Sequence, residues 1–478
     1  MERIILTANQ KALKINLNEN IYGTFAEIGA GQEVVRHFFR SGGASGTIAK
    51  AMSAYDKDFS DAIYGQEDDS RYVTEPRLRK MIEYEYGLIN ERLSREKWPD
   101  KCYFAFANTI ATINFTRKFK GHGWMGVRFQ LSPDQEPNDV IFHVRMKEEE
   151  ASLQQETIGQ MGVNLIYGCF HIRNNPEELL RSLYDNIAKY KVEIDMIHFE
   201  GPEFKNVDNR LMSLQLIKNG MTDAVIFGPE GNNILPAALL YKKNILALRG
   251  SFRPATKVNI DMIKKGYGHF VEERKVDREK LVVLFEITLN NLRSEGEIDE
   301  QDFLDRAEIL CSLGQTVLIS NYQQYYKLVE YFTRYTEERM GLIMGVTNLK
   351  DLFNDKYYRE LKGGILAAFG ILYSTDLKLY IYPSQPNEED ELENSKNLKI
   401  HPRLRPLYDY LKSNKRIIDI DNYDPEVLQI FSRDILEKIR HGEEGWEKAL
   451  PAYVDNIIRD KRLFGYHPEN SNALTKKE

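Results

Sequence analysis

Three places along the chain carry residues whose types and spacing suit chemistry. In "FAEIGAGQEVVRHFF" (25–39), Glu27 ends an apolar run, Gly29-Ala30-Gly31 follows, and helical spacing begins after it. A glycine turn between strand and helix lets a ligand approach the backbone, and a helix start favours an anion. An acid before Gly-x-Gly also opens the cofactor loop of S-adenosylmethionine-dependent methyltransferases. Here Val34 stands where a third glycine would, and Asp56 is the best-placed acid for a ribose further on. A tight turn with no ligand is an equal reading. The glycine-rich stretch 41–56 lacks the Gly-Lys-Ser/Thr ending of a P-loop and reads as a closely packed or flexible loop.

The second place is a series of strand ends. "HFEG" (198–201), "FGPEGN" (227–232) and "LRGSFRP" (248–254) supply Glu200, Glu230, Asn232, Arg249, Ser251 and Arg253, and Thr256 and Lys257 then start a helix. Ligands of open parallel sheets gather beyond the carboxyl ends of strands, and arginine grips phosphate or carboxylate with paired hydrogen bonds. The alternative is that Arg249 and Arg253 brace loops by pairing with Glu200, Asp208 or Glu230. The third place is "NDVIFHVRM" (138–146), where His143 and Arg145 share one face of a strand. His143 and Glu200 are the candidate acid and base. The histidines form no His-x-x-x-His pair, and no cysteine or acidic spacing suggests a metal. No Gly-x-Ser-x-Gly elbow supports a serine hydrolase.

The elements that must hold these residues read as α/β: a mixed sheet with parallel βαβ units, a second smaller α/β unit and a helical C-terminal part. An amphipathic helix spans 76–97. Strand patterns at 102–115, 124–133 and 138–147 follow, with connections short enough to make them antiparallel. A helix covers 148–170. From 176 helices and apolar strands alternate, with Asn175 as a cap and Pro176 at the first helical position. That alternation predicts a parallel sheet. Residues 279–312 read as a helical bridge, and "QTVLISNY" and "RMGLIMGV" flank a helix beyond it. The predicted division is 1–275 for an N-terminal ligand-binding unit, 276–384 for bridge and second unit, 385–400 for an acidic linker, 401–466 for the helical part and 467–478 for a disordered tail.

The 478 residues include 42% hydrophobic and 29% charged, with a net charge of −7. No broadly basic nucleic-acid surface is signalled. Three scattered cysteines and the lack of a long apolar span fit a cytoplasmic chain away from membranes. The expected partner is a small anionic metabolite or nucleotide, the cofactor is unknown, and a homo-oligomer is left open.

"MGVNLIYGCFHI", the segment "VDNRLMSLQLIKNGMTDAVIFGPEGNNILPAALLYKKNILALRGSFRP" and "FAEIGAGQEVVRHFF" resemble an uncharacterised bacterial family over nearly the whole chain. Its members often carry the name nicotinate-nucleotide adenylyltransferase and sometimes TonB-dependent receptor. The resemblance implies a cytoplasmic α/β protein of conserved length. An adenylyltransferase has a His-x-Gly-His-like pair, whereas His171 stands alone in "YGCFHIRNNPEE"; "SFRPATK" is a distant match to its later Ser/Thr-Arg segment. A receptor barrel needs a train of alternating strands, which this sequence lacks. These readings converge on a nucleotide- or phosphometabolite-binding enzyme of the group-transferase class. The alternatives are a methyltransferase using S-adenosylmethionine and a non-catalytic ligand-binding regulatory or assembly protein.

Overall fold

The computed structural model describes residues 3–68, 70–117, 120–294 and 297–467. They fall into two units, Met1–Thr222 and Asp223–Glu478, so the segment 223–275 lies in the second. The tail beyond 467 lies outside the described residues.

In the first unit, a Thr7–Gln10 capping box starts α1 (Ala8–Asn16). Strand β1 (Ile21–Ile28), α2 (Glu33–Arg40) and β2 (Ile48–Met52) form a parallel βαβ unit. Asp56 and Thr74 cap α3 (Lys57–Tyr64) and α4 (Glu75–Arg92) through their side chains. β3 (Cys102–Ala111) then runs parallel to β1 on its other side. The short connections after it give antiparallel β4 (His122–Phe129) and β5 (Asn138–Met146), as the sequence predicts. The chain continues through α5 (Ala151–His171), α6 (Pro176–Ser182), β6 (Val192–Glu200) and α7 (Asn209–Lys218). Asn175 caps α6, accepting from the Glu178 amide at 3.0 Å.

The strand order of this sheet is β2-β1-β3-β4-β5-β6. β6 departs from the parallel arrangement predicted beyond residue 176: it pairs antiparallel with β5 and closes the edge of the first sheet. Alternating helix and strand patterns reveal the elements but not which sheet each strand joins.

The second unit begins with the hairpin β7 (Ala224–Phe227) and β8 (Asn233–Ile234), then α8 (Pro236–Leu240), β9 (Asn244–Arg249) and α9 (Lys257–Val271). β10 (Leu281–Thr288) follows, then a small ribbon, β11 (Arg293–Ser294) with β12 (Glu297–Ile298), and α10 (Glu300–Ser312). Next come β13 (Thr316–Ser320), α11 (Tyr325–Thr333), β14 (Met340–Gly345), α12 (Val346–Leu352) and α13 (Gly364–Leu372). The unit ends with β15 (Leu377–Tyr382), α14 (Arg405–Ser413), β16 (Ile417–Asp419), α15 (Ser432–His441) and α16 (Val454–Lys461).

The order in this sheet is β16-β15-β14-β9-β10-β13-β7-β8. The six strands from β16 to β13 are parallel, and β7 is antiparallel to β13. In chain order β9, β10 and β13 build one way, and β14, β15 and β16 build the other way from β9. That is the doubly wound order of dinucleotide-binding sheets, with its reversal between β9 and β14.

β10 corrects the reading of 279–312 as a helical bridge. "LVVLFEIT" is nearly all buried at the centre of the sheet. A strand covered on both faces has a continuous apolar run without an alternating period, which periodicity alone does not separate from a buried helix. The acidic stretch after β15 is an ordered loop whose ends meet where Ser384 and Glu393 exchange backbone hydrogen bonds.

Candidate functional site

The carboxyl ends of four parallel strands of the second unit surround a cavity of about 420 Å³. β9 contributes Arg249, Gly250 and Ser251, and β10 contributes Thr288, Asn290 and Asn291. Gln323, Gln324 and Tyr325 come from the step between β13 and α11, and Asn348 and Asp351 from the helix after β14. This is the crevice that the reversal between β9 and β14 creates, where open α/β sheets hold their ligands.

Its floor is a buried ion pair. Arg249 reaches across to Glu286 on β10, with Nε donating to Oε2 at 2.7 Å and Nη2 to Oε1 at 2.8 Å. Glu286 is fully buried and also accepts from Ser320 Oγ at 2.6 Å. Arg249 Nη1 donates to the Gln323 carbonyl at 2.8 Å, and its guanidinium lies 4.3 Å from the centre of the Tyr325 ring. The pair cancels its own charge, so the walls present amides, hydroxyls, phenols and the Asp351 carboxylate over a neutral floor. The Tyr325 hydroxyl is buried without a hydrogen-bond partner, and burial pushes its pKa up to about 12. Gln324, at the start of α11, makes no side-chain cap, and the Lys327 amide of the first turn donates to the Gln324 carbonyl at 3.2 Å.

The predicted anion set is dispersed. Arg249 and Ser251 line this crevice. Arg253 pairs instead with Asp302 of α10, Nε donating to Oδ1 at 2.5 Å. Lys257 is exposed on the first turn of α9, where Thr256 and Asn259 already form a capping box. Glu230 and Asn232 are exposed on the turn between β7 and β8. β7 runs against β13, so that turn sits at the amino ends of the parallel strands rather than the carboxyl ends. Glu200 belongs to the first unit and receives Arg79 through two hydrogen bonds of 2.7 and 3.1 Å. The bracing alternative therefore describes Arg249 and Arg253, with Glu286 and Asp302 in place of the acids named from the sequence.

The Gly29–Gly31 turn has a different occupant. Glu27 is buried and accepts from the amides of Val34 at 3.1 Å and Val35 at 2.9 Å. It caps α2 from the preceding strand and takes up the amides that an incoming anion would use. Burial pushes its carboxyl up to about 7, against the pull of those amides. Gly29, at φ +96°, lies so close to β3 that a Cβ there would be 1.7 Å from the Ile110 carbonyl oxygen. Gly31, at φ +75°, has open space.

His143 lies on β5, between β4 and the edge strand β6 of the first sheet, and is buried. Its Nδ1 is 2.6 Å from Asp195 Oδ1, and its Nε2 is 3.2 Å from His122 Nδ1. The sequence reading missed Asp195 and His122, as well as Glu286, Tyr325 and the ring of amides in the crevice. A signal for His122 was present: "HGW" and "FHVR" are hairpin partners, and pairing the two strands brings the histidines to one face. Among the described residues no group of three or more His, Cys, Asp or Glu side chains is arranged to hold a metal. No described helix is long and apolar enough to cross a membrane.

No family model and no curated protein matches the chain. Among solved structures, the competence/damage inducible protein CihA from Agrobacterium tumefaciens aligns with a TM-score of 0.25 and 12% identity, over 35% of this chain and 97% of that one. The competence or damage-inducible protein from Enterobacter asburiae aligns with a TM-score of 0.25 and 10% identity, over 34% and 98%. Likeness at this level establishes neither a common fold nor a common activity.

Proposed function

We propose that the second unit binds a nucleotide or nucleotide-like phosphometabolite in the crevice between β9 and β14, and that the chain is a group transferase acting on it. The observation that carries this reading is the crevice itself, a cavity of about 420 Å³ at the reversal of a doubly wound sheet. The donor set supports the ligand class. Asn290, Asn291, Asn348 and Gln323 offer amides to sugar hydroxyls or base edges, and Tyr325 offers a ring and an unpartnered hydroxyl. The start of α11, without a side-chain cap, suits a phosphate.

The test is calorimetric titration of the full chain with ATP, a dinucleotide and S-adenosylmethionine, beside a mass-spectrometric list of co-purifying metabolites. One of them binds, and Asn348→Leu weakens it by roughly tenfold, the worth of about one good hydrogen bond with its partner left unmet. Absence of any bound nucleotide or phosphometabolite, or equal affinity in Asn348→Leu, overturns the reading.

A further inference from the structure

A second cavity, of about 590 Å³, lies at the other end of the second unit's parallel strands. Arg339, Asp376 and Arg416 stand immediately before β14, β15 and β16, and all three line it, as does Lys378 of β15. Two helices supply the remaining walls, α13 with Leu366 and Gly370 and α14 with Leu407 and Tyr410. These walls are apolar where they meet solvent. α13 reads GILAAFGIL, nine residues without a charge, although the outer face of a surface helix is ordinarily polar. Leu366 and Gly370, four apart and so on one face, are both exposed, Leu366 at 69%. Gly370 leaves open space where a side chain would stand. On α14, Tyr410 is 64% exposed.

The strand-end wall is charged, and most of its donors are taken. Asp376 Oδ2 accepts from Arg339 Nε at 3.1 Å and Nη2 at 2.5 Å, and its Oδ1 accepts from Arg416 Nη1 at 2.9 Å. Arg339 Nη1 and Lys378 Nζ both donate to Glu273, which follows α9. Arg416 Nη1 donates also to the Leu377 carbonyl at 3.1 Å. Arg416 Nε and Nη2 find no acceptor among the described residues, and the side chain is 33% exposed. That edge of a guanidinium holds a carboxylate through two parallel hydrogen bonds.

The charges leave a positive excess. Arg339, Lys378, Arg416 and Lys275, whose Nζ is 3.6 Å from Asp376, stand against Asp376 and Glu273. Glu337, exposed on an adjoining cavity that shares Asp376 and Arg416, reduces the excess to one charge. We propose that this groove binds an amphiphilic monocarboxylate, an acyl or aryl acid. Its carboxylate takes the Nε and Nη2 edge of Arg416, and its apolar body covers Leu366, Gly370 and Tyr410. A single excess positive charge matches one carboxylate better than a phosphate monoester, which carries up to about two negative charges near neutral pH. The covered apolar surface supplies affinity, and the guanidinium fixes orientation.

Calorimetric titration of the full chain with octanoate and 1-naphthoate is the test, with acetate, 1-octanol and octyl phosphate as comparisons. At least one of the two acids binds at a single site. Acetate and 1-octanol, each lacking one end of the ligand, bind more weakly by about tenfold or more. Gly370→Leu fills the groove at an open helical position where leucine is the better helix former. Arg416→Lys keeps the charge and loses the fork. Each variant weakens the acid by about tenfold. Gly87→Leu, at an equally open glycine of α4 in the first unit, leaves its affinity unchanged. Absence of binding by both acids overturns the proposal. So does wild-type affinity in a folded Gly370→Leu or Arg416→Lys chain, an equal loss in Gly87→Leu, or tighter binding of octyl phosphate than of octanoate. None of these readouts involves the crevice between β9 and β14.

Discussion

The first parallel strand of each sheet, β1 in one unit and β9 in the other, has later strands built on both of its sides and a glycine-containing turn at its carboxyl end. They end differently. At the first reversal, Gly29 lies against the Ile110 carbonyl of the neighbouring strand, and Glu27 folds inward to cap α2. At the second, α9 is capped by its own Thr256 and Asn259, so the strand-end Arg249 is available to reach sideways to Glu286, leaving the crevice above it. A strand–turn–helix with glycines and a charged residue thus serves backbone closure in one unit and frames a cavity in the other. What decides is where the charged side chain finds its partner.

The largest effect expected from breaking this comparison is at Glu286. Glu286→Gln leaves Arg249 without its counter-charge beneath the crevice. Removing one partner of a buried pair typically costs about 3–5 kcal/mol. Chemical denaturation, with hydrogen exchange of the β10 peptides as the local readout, measures it. A loss under about 1 kcal/mol would mean that the pair is not the floor of the site.

Two glycines sharpen the contrast next. Gly29→Ala must accept both a left-handed backbone and a clash with the Ile110 carbonyl, for about 2–5 kcal/mol. Gly31→Ala has open space and carries only the backbone cost, about 1–2 kcal/mol. Equal melting temperatures for the two variants would show that the turn is not closed against β3.

Much of the fold is legible in the sequence. The strand–turn–helix start, the antiparallel strands from β3 to β5, the Asn175 cap and the start of α9 at Thr256 all follow from local pattern, whereas β2 lies inside the stretch 41–56 that reads as a loop. β10 is not legible, because a strand buried on both faces loses the alternation that marks it, and Glu286 is hidden with it. Less of the candidate site can be read. The charged residues that stand out, Arg249 and Arg253, find acids on β10 and α10, and such pairing depends on three-dimensional neighbours that one sequence does not name. The amides and Tyr325 that line the crevice carry no motif, since their chemistry appears only when four strand ends converge. His143 stands out by its type, while the partners that give it a direction sit on adjacent strands, one of them in a bulge.

The Glu27 cap gives a pH signature. Its folded carboxyl stands at about 7 against an ordinary 4.5, so between those values the folded chain holds a proton that the unfolded chain has lost. The stability tied to this proton is fully present below about 4.5 and is lost as pH rises through about 7. The fall is roughly 3 kcal/mol at most, from about 1.4 kcal/mol for each pH unit between the two values. Glu27→Gln, which cannot ionise, flattens that part of the stability profile. A wild-type profile without such a fall, or one that Glu27→Gln leaves in place, would mean that the amides of Val34 and Val35 outweigh burial.

The smallest effect separates the two arginines. Arg253 lies four residues beyond Arg249, and from sequence the two form one anion-binding pair; in the structure Arg253 faces Asp302, which also accepts from Arg306 of the same helix. Arg253→Lys keeps the charge and loses the planar fork, so the bond to Asp302 weakens without disappearing. Arg253 is partly exposed, and water screens what remains, which limits the cost to about 0.5–1 kcal/mol. Because Arg253 does not line the crevice, the affinity for the nucleotide found by calorimetry stays at the wild-type value. Arg249→Lys, by contrast, disturbs Glu286 and the Tyr325 ring together and moves affinity and melting temperature alike. Should Arg253→Lys weaken ligand binding by about tenfold or more at an unchanged melting temperature, the division of labour between the two arginines would be reversed, and the ligand would extend from the crevice to the turn before α9.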